Sequence, residues 1–128
     1  MAHQGRANES SSVEGVKIRV GDPRYRAVVD KQFNKRFTAS PEYVRLVHSA
    51  DEIVSAVQNA VSERHRLVVT SGGHCLEGFV SDPDVRVIID VSPMKRVYYD
   101  RHMNAVAVEA GATVGDTFRV LFDRWGVV

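Results

Sequence analysis

The sequence predicts an α+β chain organised around a strand–helix–strand unit, and three observations predict it. Ser49-Ala50-Asp51-Glu52 is a capping box, with Ser49 as N-cap and Glu52 three residues on. Behind it Ile53, Val54, Val57, Ala60 and Val61 fall at the i, i+1, i+4, i+7, i+8 spacing of one helical stripe. On either side lie EYVRLVHS and RLVVT, whose β-branched and aromatic content suits short strands. The chain has 128 residues, 44% of them hydrophobic, enough for one modest domain with a single core.

In chain order, residues 1 to about 20 are small and polar, with Glu9-Ser10-Ser11-Ser12 in the middle, and are expected to form a mobile tail ahead of a folded part at 21–128. In GDPRYRAVVDKQFNKRF, Asp22 can cap a helix with Pro23 at its first position and Val28 and Val29 facing inward. Its basic residues Arg24, Arg26, Lys31, Lys35 and Arg36 read as a solvated face. The central helix should end near Arg64 or His65, and RLVVT then forms a short buried strand. PDVRVIIDVS reads as another buried strand through Val85, Val87, Ile88 and Ile89. RVYYD and NAVAVEAG pair around a polar tip at Arg101, His102 and Asn104. ATVGDTFRVLFDRWG is a helix with Thr113 as cap, Val114, Phe118, Leu121 and Phe122 on one face, and Gly126 at its end.

The balance of charges limits the function classes. A formal net charge of +1 gives no reason to expect nucleic acid or an anionic membrane as partner. A single cysteine excludes an intrachain disulfide and a multi-cysteine zinc site. The first residues lack an apolar core of the signal-peptide type, and no apolar run approaches the roughly 20 residues of a membrane helix. The expected location is cytoplasmic.

Between the second and third predicted strands lies LVVTSGGHCLEGFVSD, Leu67 to Asp82. In open α/β sheets ligands collect beyond the carboxyl ends of strands, which is where Ser71-Gly72-Gly73-His74-Cys75 falls. Two glycines allow positive φ and a close ligand, and successive N–H groups in such a turn make a nest for an anion. A plain tight turn is the alternative, because neither dinucleotide glycine fingerprint is present. His74 and Cys75 as adjacent metal ligands make a poor zinc pattern, and nothing in the spacing sets a base beside Cys75 for a nucleophilic role.

The segment VVTSGGHCLEGF resembles the flavin-attachment segment of the berberine-bridge-enzyme-like oxidases, members of the p-cresol methylhydroxylase (PCMH, or vanillyl-alcohol oxidase) flavoprotein superfamily. Ser71-Gly72-Gly73-His74 and Glu77-Gly78 carry the match, and the flanks from about Tyr25 to Val128 agree. The resemblance implies a PCMH-type FAD-binding domain: the N-terminal βαβ subdomain and the beginning of the second α/β subdomain, an incomplete part of a larger protein. It implies a covalent bond from His74 to the 8α carbon of FAD. It further implies cofactor binding by Thr70, Ser71, Gly72, Gly73, Cys75, Gly78 and Phe79, with main-chain N–H groups from about Thr70 to Cys75 on the pyrophosphate. An imidazole on the ring carbon withdraws electrons and favours hydride uptake, a case of a protein tuning its cofactor.

The activity so implied is an FAD-linked oxidase that oxidises an alcohol of a sugar or glycosylated metabolite with O₂, giving H₂O₂. The partners implied are that small-molecule substrate and a complementary C-terminal part of the protein. Three departures accompany the resemblance. The family has arginine where this chain has Thr70. The second link that many members make, from a cysteine to flavin C6, belongs to a downstream segment and not to Cys75. The chain stops at Val128, where the family continues, so no catalytic residue is expected within it, and Tyr98 and Tyr99 sit on a predicted strand. The alternatives are a truncated, non-catalytic FAD- or nucleotide-binding module of the same fold, and a non-covalent flavin reductase of the superfamily.

Overall fold

The computed structural model describes residues 14–127. Strands β1 (Val16–Arg19), β2 (Tyr43–Leu46), β3 (Leu67–Thr70) and β4 (Val87–Asp90) form one sheet in the order β1-β2-β4-β3. β2, β4 and β3 run parallel, and β1 is antiparallel to β2. Helices α1 (Tyr25–Val29) and α2 (Ala50–Ser62) belong to this part of the chain. A separate two-stranded antiparallel sheet, β5 (Val97–Asp100) with β6 (Ala105–Val108), precedes helix α3 (Val114–Trp125). Among the described residues no helix is long and apolar enough to cross a membrane.

β4 is the centre of the molecule, and all four of its residues are buried. Alternation along the strand divides its side chains between two cores. Val87 and Ile89 join Tyr43, Val47, Ala56, Ala60 and Val91 on the α2 face. Ile88 joins Ile18, Tyr25, Val29, Ala39, Val44 and Val85 on the α1 face. A central parallel strand buried on both faces reads as a continuous apolar run, which is what VIID is up to its last residue.

Several expectations are corrected. The folded part begins earlier than residue 21: Val16–Arg19 is β1, with Ile18 fully buried and Arg45 donating to the Gly15 carbonyl at 2.9 Å. Ile18 carries the physical reason, since it enters the core on the α1 face while the strand pairs edge to edge with β2. The remainder of the expected tail, 1–13, lies outside the described residues. The first helix is only five residues long and starts after Arg24; Asp22 instead accepts from the Arg24 N–H at 2.9 Å in the preceding turn. β3 is not a buried strand. It ends the strand order, and Val69 is half exposed. Its parallel partner is β4, whose insertion between β2 and β3 separates the two strands of the strand–helix–strand unit.

The stripe of α2 is rotated from the expected one. Ala56 and Ala60 are buried with Ile53 and Val57 packed on the same core, while Val54 and Val61 are exposed. Alanines let the helix axis approach the sheet, so the inward face is the 53, 56, 57, 60 set, a regular i, i+3, i+4, i+7 spacing. The cap is as expected at Ser49, whose Oγ accepts from the Glu52 N–H at 3.2 Å. Glu52 reaches one residue further back than a capping box requires and accepts from the His48 N–H at 2.8 Å.

The one acidic group at the core's centre is Asp90, 1% exposed, at the carboxyl end of β4. Lys31 donates to its Oδ2 at 2.6 Å, and Ser92 N–H donates to Oδ1 at 2.9 Å. The basic run after α1 is therefore not wholly a solvated face. Lys31→Met strands a buried carboxylate without its cation and should cost about 3 kcal/mol or more in a urea unfolding curve. At the other end of the sheet the buried Tyr43 hydroxyl donates to Glu63 at 2.6 Å. That hydrogen bond holds the Glu63 carboxyl below its ordinary range. A carboxyl depressed on folding stabilises the fold above its unfolded pKa and loses that contribution as pH falls through the folded value. Tyr43→Phe should therefore lose stability at neutral pH and show a shallower acid-side decline, read from unfolding midpoints between pH 7 and pH 3.

Candidate functional site

The chain leaves the sheet at Thr70, whose carbonyl accepts from the Val91 N–H at 2.9 Å. Its side chain is buried, and its hydroxyl accepts from Gln32 Nε2 at 3.0 Å. Gly72 and Gly73 then turn over the segment that follows α1. Phe33 N–H donates to the Gly73 carbonyl at 2.7 Å. Gly73 has φ +74, and a Cβ there would lie 2.9 Å from the Lys31 carbonyl oxygen. Both facts require glycine at this position. Gly72 is open: the nearest atoms to an added Cβ are those of the His74 ring, from 3.6 Å.

Residues Lys31–Phe33 thus form a floor under the turn. A wall faces it from the other side. Ser71 Oγ donates to the Ala110 carbonyl at 2.5 Å, joining the turn to the strap between β6 and α3. That strap is itself fixed: Gly111 N–H donates to the Met94 carbonyl at 2.7 Å, and a Cβ on Gly111 would lie 2.3 Å from the Ser92 oxygen. Ser71, Gly72 and His74 on one side and Ala110, Gly111, Ala112, Thr113 and Val114 on the other line a cavity of about 520 Å³.

His74 is exposed and reachable at the edge of this cavity. The other predicted residues are placed differently. Cys75 Sγ donates to the Glu77 carbonyl at 3.2 Å, Gly78 lies against the Phe37 ring, and Phe79 is exposed. None of the three lines the cavity. Asn34 Nδ2 donates to the Leu76 carbonyl at 2.6 Å, which continues the contact between the loop and the segment beneath it.

What the arrangement offers chemically is an open glycine backbone and one imidazole, without a cation on the cavity lining among the described residues. The N-terminus of α3 opens on the same cavity, but it already carries a side-chain cap and a carboxylate. Thr113 Oγ1 accepts from the Asp116 N–H at 3.0 Å and donates to the Asp116 carboxylate at 2.7 Å. The Thr113 hydroxyl holds that carboxyl below its ordinary range, so a negative charge stands at the helix start. An anion is better received by the glycine turn than by α3.

Sequence reasoning identified the turn and missed its supports. Gln32 and Phe33 read as part of a basic, solvated helix, and the strap Ala110–Ala112 carries no motif. Their role arises from contacts about forty residues apart in the chain, such as Gln32 with Thr70 and Ser71 with Ala110. The floor makes a sharp contrast between the two glycines. Gly73→Ala should lose about 2 kcal/mol or more through forced positive φ and the Lys31 oxygen, whereas Gly72→Ala should stay within about 0.5 kcal/mol of the parent. Parallel chemical unfolding of the two variants checks this.

Comparison with known proteins now bears on the cavity. The family model described as "FAD binding domain" matches residues 41–126. Aclacinomycin-N/aclacinomycin-A oxidase of Streptomyces galilaeus is 50% identical over 112 residues, covering 88% of this chain and 21% of that protein. Among solved structures, aclacinomycin oxidoreductase superposes with a TM-score of 0.83 at 50% identity over 88% of this chain and 23% of that one. A glycopeptide hexose oxidase complexed with teicoplanin superposes with a TM-score of 0.84 at 41% identity, again over 88% of this chain and 23% of that one. The chain therefore spans about a fifth of the length of these relatives.

Proposed function

The chain belongs to the FAD-binding domain family, and from that premise we propose that it forms part of a flavin-linked oxidase whose cofactor is anchored at His74. The observation that carries the reading is the exposed imidazole beside the open Gly72 backbone on one side of a cavity whose other side is the Ala110–Val114 strap. A main-chain cradle at Gly72, where no Cβ stands in the way, fits a diphosphate. An exposed histidine beside it fits a covalent link to the ring system of the same cofactor.

In this reading the N–H groups of Ser71, Gly72 and His74, those of the Thr70–Cys75 set that line the cavity, would hold the pyrophosphate of FAD. His74 would hold the cofactor through a covalent bond at the 8α carbon of its ring system. When bound, the flavin supplies a hydride acceptor at N5 and passes the electrons to O₂. The balanced reaction converts a CH–OH group and O₂ to a carbonyl and H₂O₂. The substrate class is an alcohol of a sugar or glycosylated metabolite, by analogy with relatives named for aclacinomycin and hexose oxidation.

This chain's residues bind and orient rather than catalyse. Tyr98 and Tyr99 lie on β5, away from the cavity lining, and supply no base there. The cavity is too small for a whole extended dinucleotide. Its missing walls are assigned to a complementary part of the protein, for which α3 and the β5–β6 hairpin provide the seat. Phe118, Phe122, Val106 and Val108 are all exposed, and no residue of α3 is buried. This chain alone is accordingly expected to be inactive.

The test uses the complete reading frame that contains this chain. After acid denaturation and proteolysis, the peptide carrying His74 should be yellow and heavier by the mass of FAD. His74→Ala should remove that acid-stable label while leaving unfolding behaviour unchanged. A colourless, unmodified parent peptide sinks the covalent assignment. A labelled protein that releases no peroxide with any sugar or glycoside alcohol is a flavin-binding module instead.

A further inference from the structure

Gln32 has no role in the cofactor assignment, yet it occupies a position that few polar residues hold. It is 5% exposed, and its amide nitrogen donates to Thr70 Oγ1 at 3.0 Å. Its Oε1 is buried and has no hydrogen-bond partner. A buried amide with one half unsatisfied costs stability, and an apolar side chain of the same length would avoid that cost. Stability therefore does not account for glutamine at this position. What the amide does accomplish is geometric. Lys31 is pinned to Asp90, Phe33 N–H holds the Gly73 carbonyl, and the Gln32 side chain between them holds the end of β3. The turn that carries His74 is thus tied to its floor at both shoulders, before the glycines and within them.

We propose that Gln32 is a positioning residue for His74. Through Thr70 it fixes the height of the Gly72–Gly73 turn above the Lys31–Phe33 floor, and with it the direction in which the imidazole enters the cavity. The bond at Thr70 sets where the chain leaves the sheet, and only three residues separate Thr70 from His74. A shift at the first shoulder reaches the ring with little chain to absorb it. The part of the proposal that concerns bond formation rests on the assignment of His74 as the flavin anchor. The part that concerns the turn does not.

The test is Gln32→Met in the protein expressed from its complete reading frame. Methionine keeps the length of the side chain and removes both the donor and the orphaned acceptor, so global stability should change little. Backbone amide exchange at Phe33, whose N–H holds the Gly73 carbonyl of the turn, should accelerate roughly five- to tenfold, the fold-change expected for loss of one hydrogen bond of ordinary net strength. When FAD is added to apoprotein, acid-stable label on the His74 peptide should accumulate more slowly by a similar factor. Thr70→Val should reproduce both effects, and Thr70→Ser, which keeps the hydroxyl, should reproduce neither. Unchanged exchange at Phe33 in a folded Gln32→Met or Thr70→Val variant overturns the proposal. So does acceleration spread evenly over the amides of β2 and β4, which marks a merely structural residue. If Gln32→Met does not fold, Thr70→Val against Thr70→Ser decides on the same criteria. If the parent acquires no covalent flavin, the His74 assignment fails by itself, and the exchange data still decide whether Gln32 holds the turn.

Discussion

The ion pair between Lys31 and Asp90 is the constraint from which the site follows. Asp90 ends the central strand and is almost wholly withdrawn from water. A carboxylate in that position needs a counter-charge and hydrogen bonds to offset its desolvation. It takes the charge from Lys31, on the segment after α1, and the hydrogen bond from Ser92, on the segment after β4. Each partner begins one side of the cavity. Lys31 leads directly into Gln32 and Phe33, the floor of the glycine turn. Ser92 leads to the loop against which Gly111 is pressed, and so to the strap that receives the Ser71 hydroxyl. Two segments far apart in sequence are thereby set at fixed heights about one buried oxygen pair.

The cavity between them is built largely from main chain. Its glycine side is open backbone at Gly72 beside the His74 ring, and its far side is a strap fixed by the Gly111 N–H on the Met94 carbonyl and by the Ser71 hydroxyl on the Ala110 carbonyl. Such a cradle recognises an anion by shape and dipole instead of by formal charge. At the start of α3 the Thr113–Asp116 pair places a carboxylate instead. Among the described residues His74 is the one ionisable side chain on the cavity lining.

How much of this was legible depends on the range of the interactions. Ser49, Thr113 and Gly126 signal helix ends through neighbours within four residues, and the structure has all three in those places. The hairpin tip near Asn104, which takes positive φ, is equally local. The α2 stripe was misphased because valine outweighs alanine in any apolar count, although alanine is what lets a helix come close to a sheet. Strand order was not legible, since inserting β4 between β2 and β3 is decided by packing and not by either strand's composition. At the site, the glycine turn could be read because positive φ at Gly73 is a local demand. Gln32 could not, because a buried amide 38 positions from its partner leaves no periodic trace.

The unequal burial of the two halves has a consequence for biosynthesis. Everything that β1 to β4 need for their two cores lies between residues 16 and 97, so that layer can close while later residues are still being added. Among the described residues nothing covers the apolar side of helix α3: Val114, Phe118 and Phe122 remain in water. The sheet layer is thus complete in itself, while α3 keeps an apolar side still to be covered and is joined to the glycine turn through the Ser71–Ala110 hydrogen bond just ahead of it.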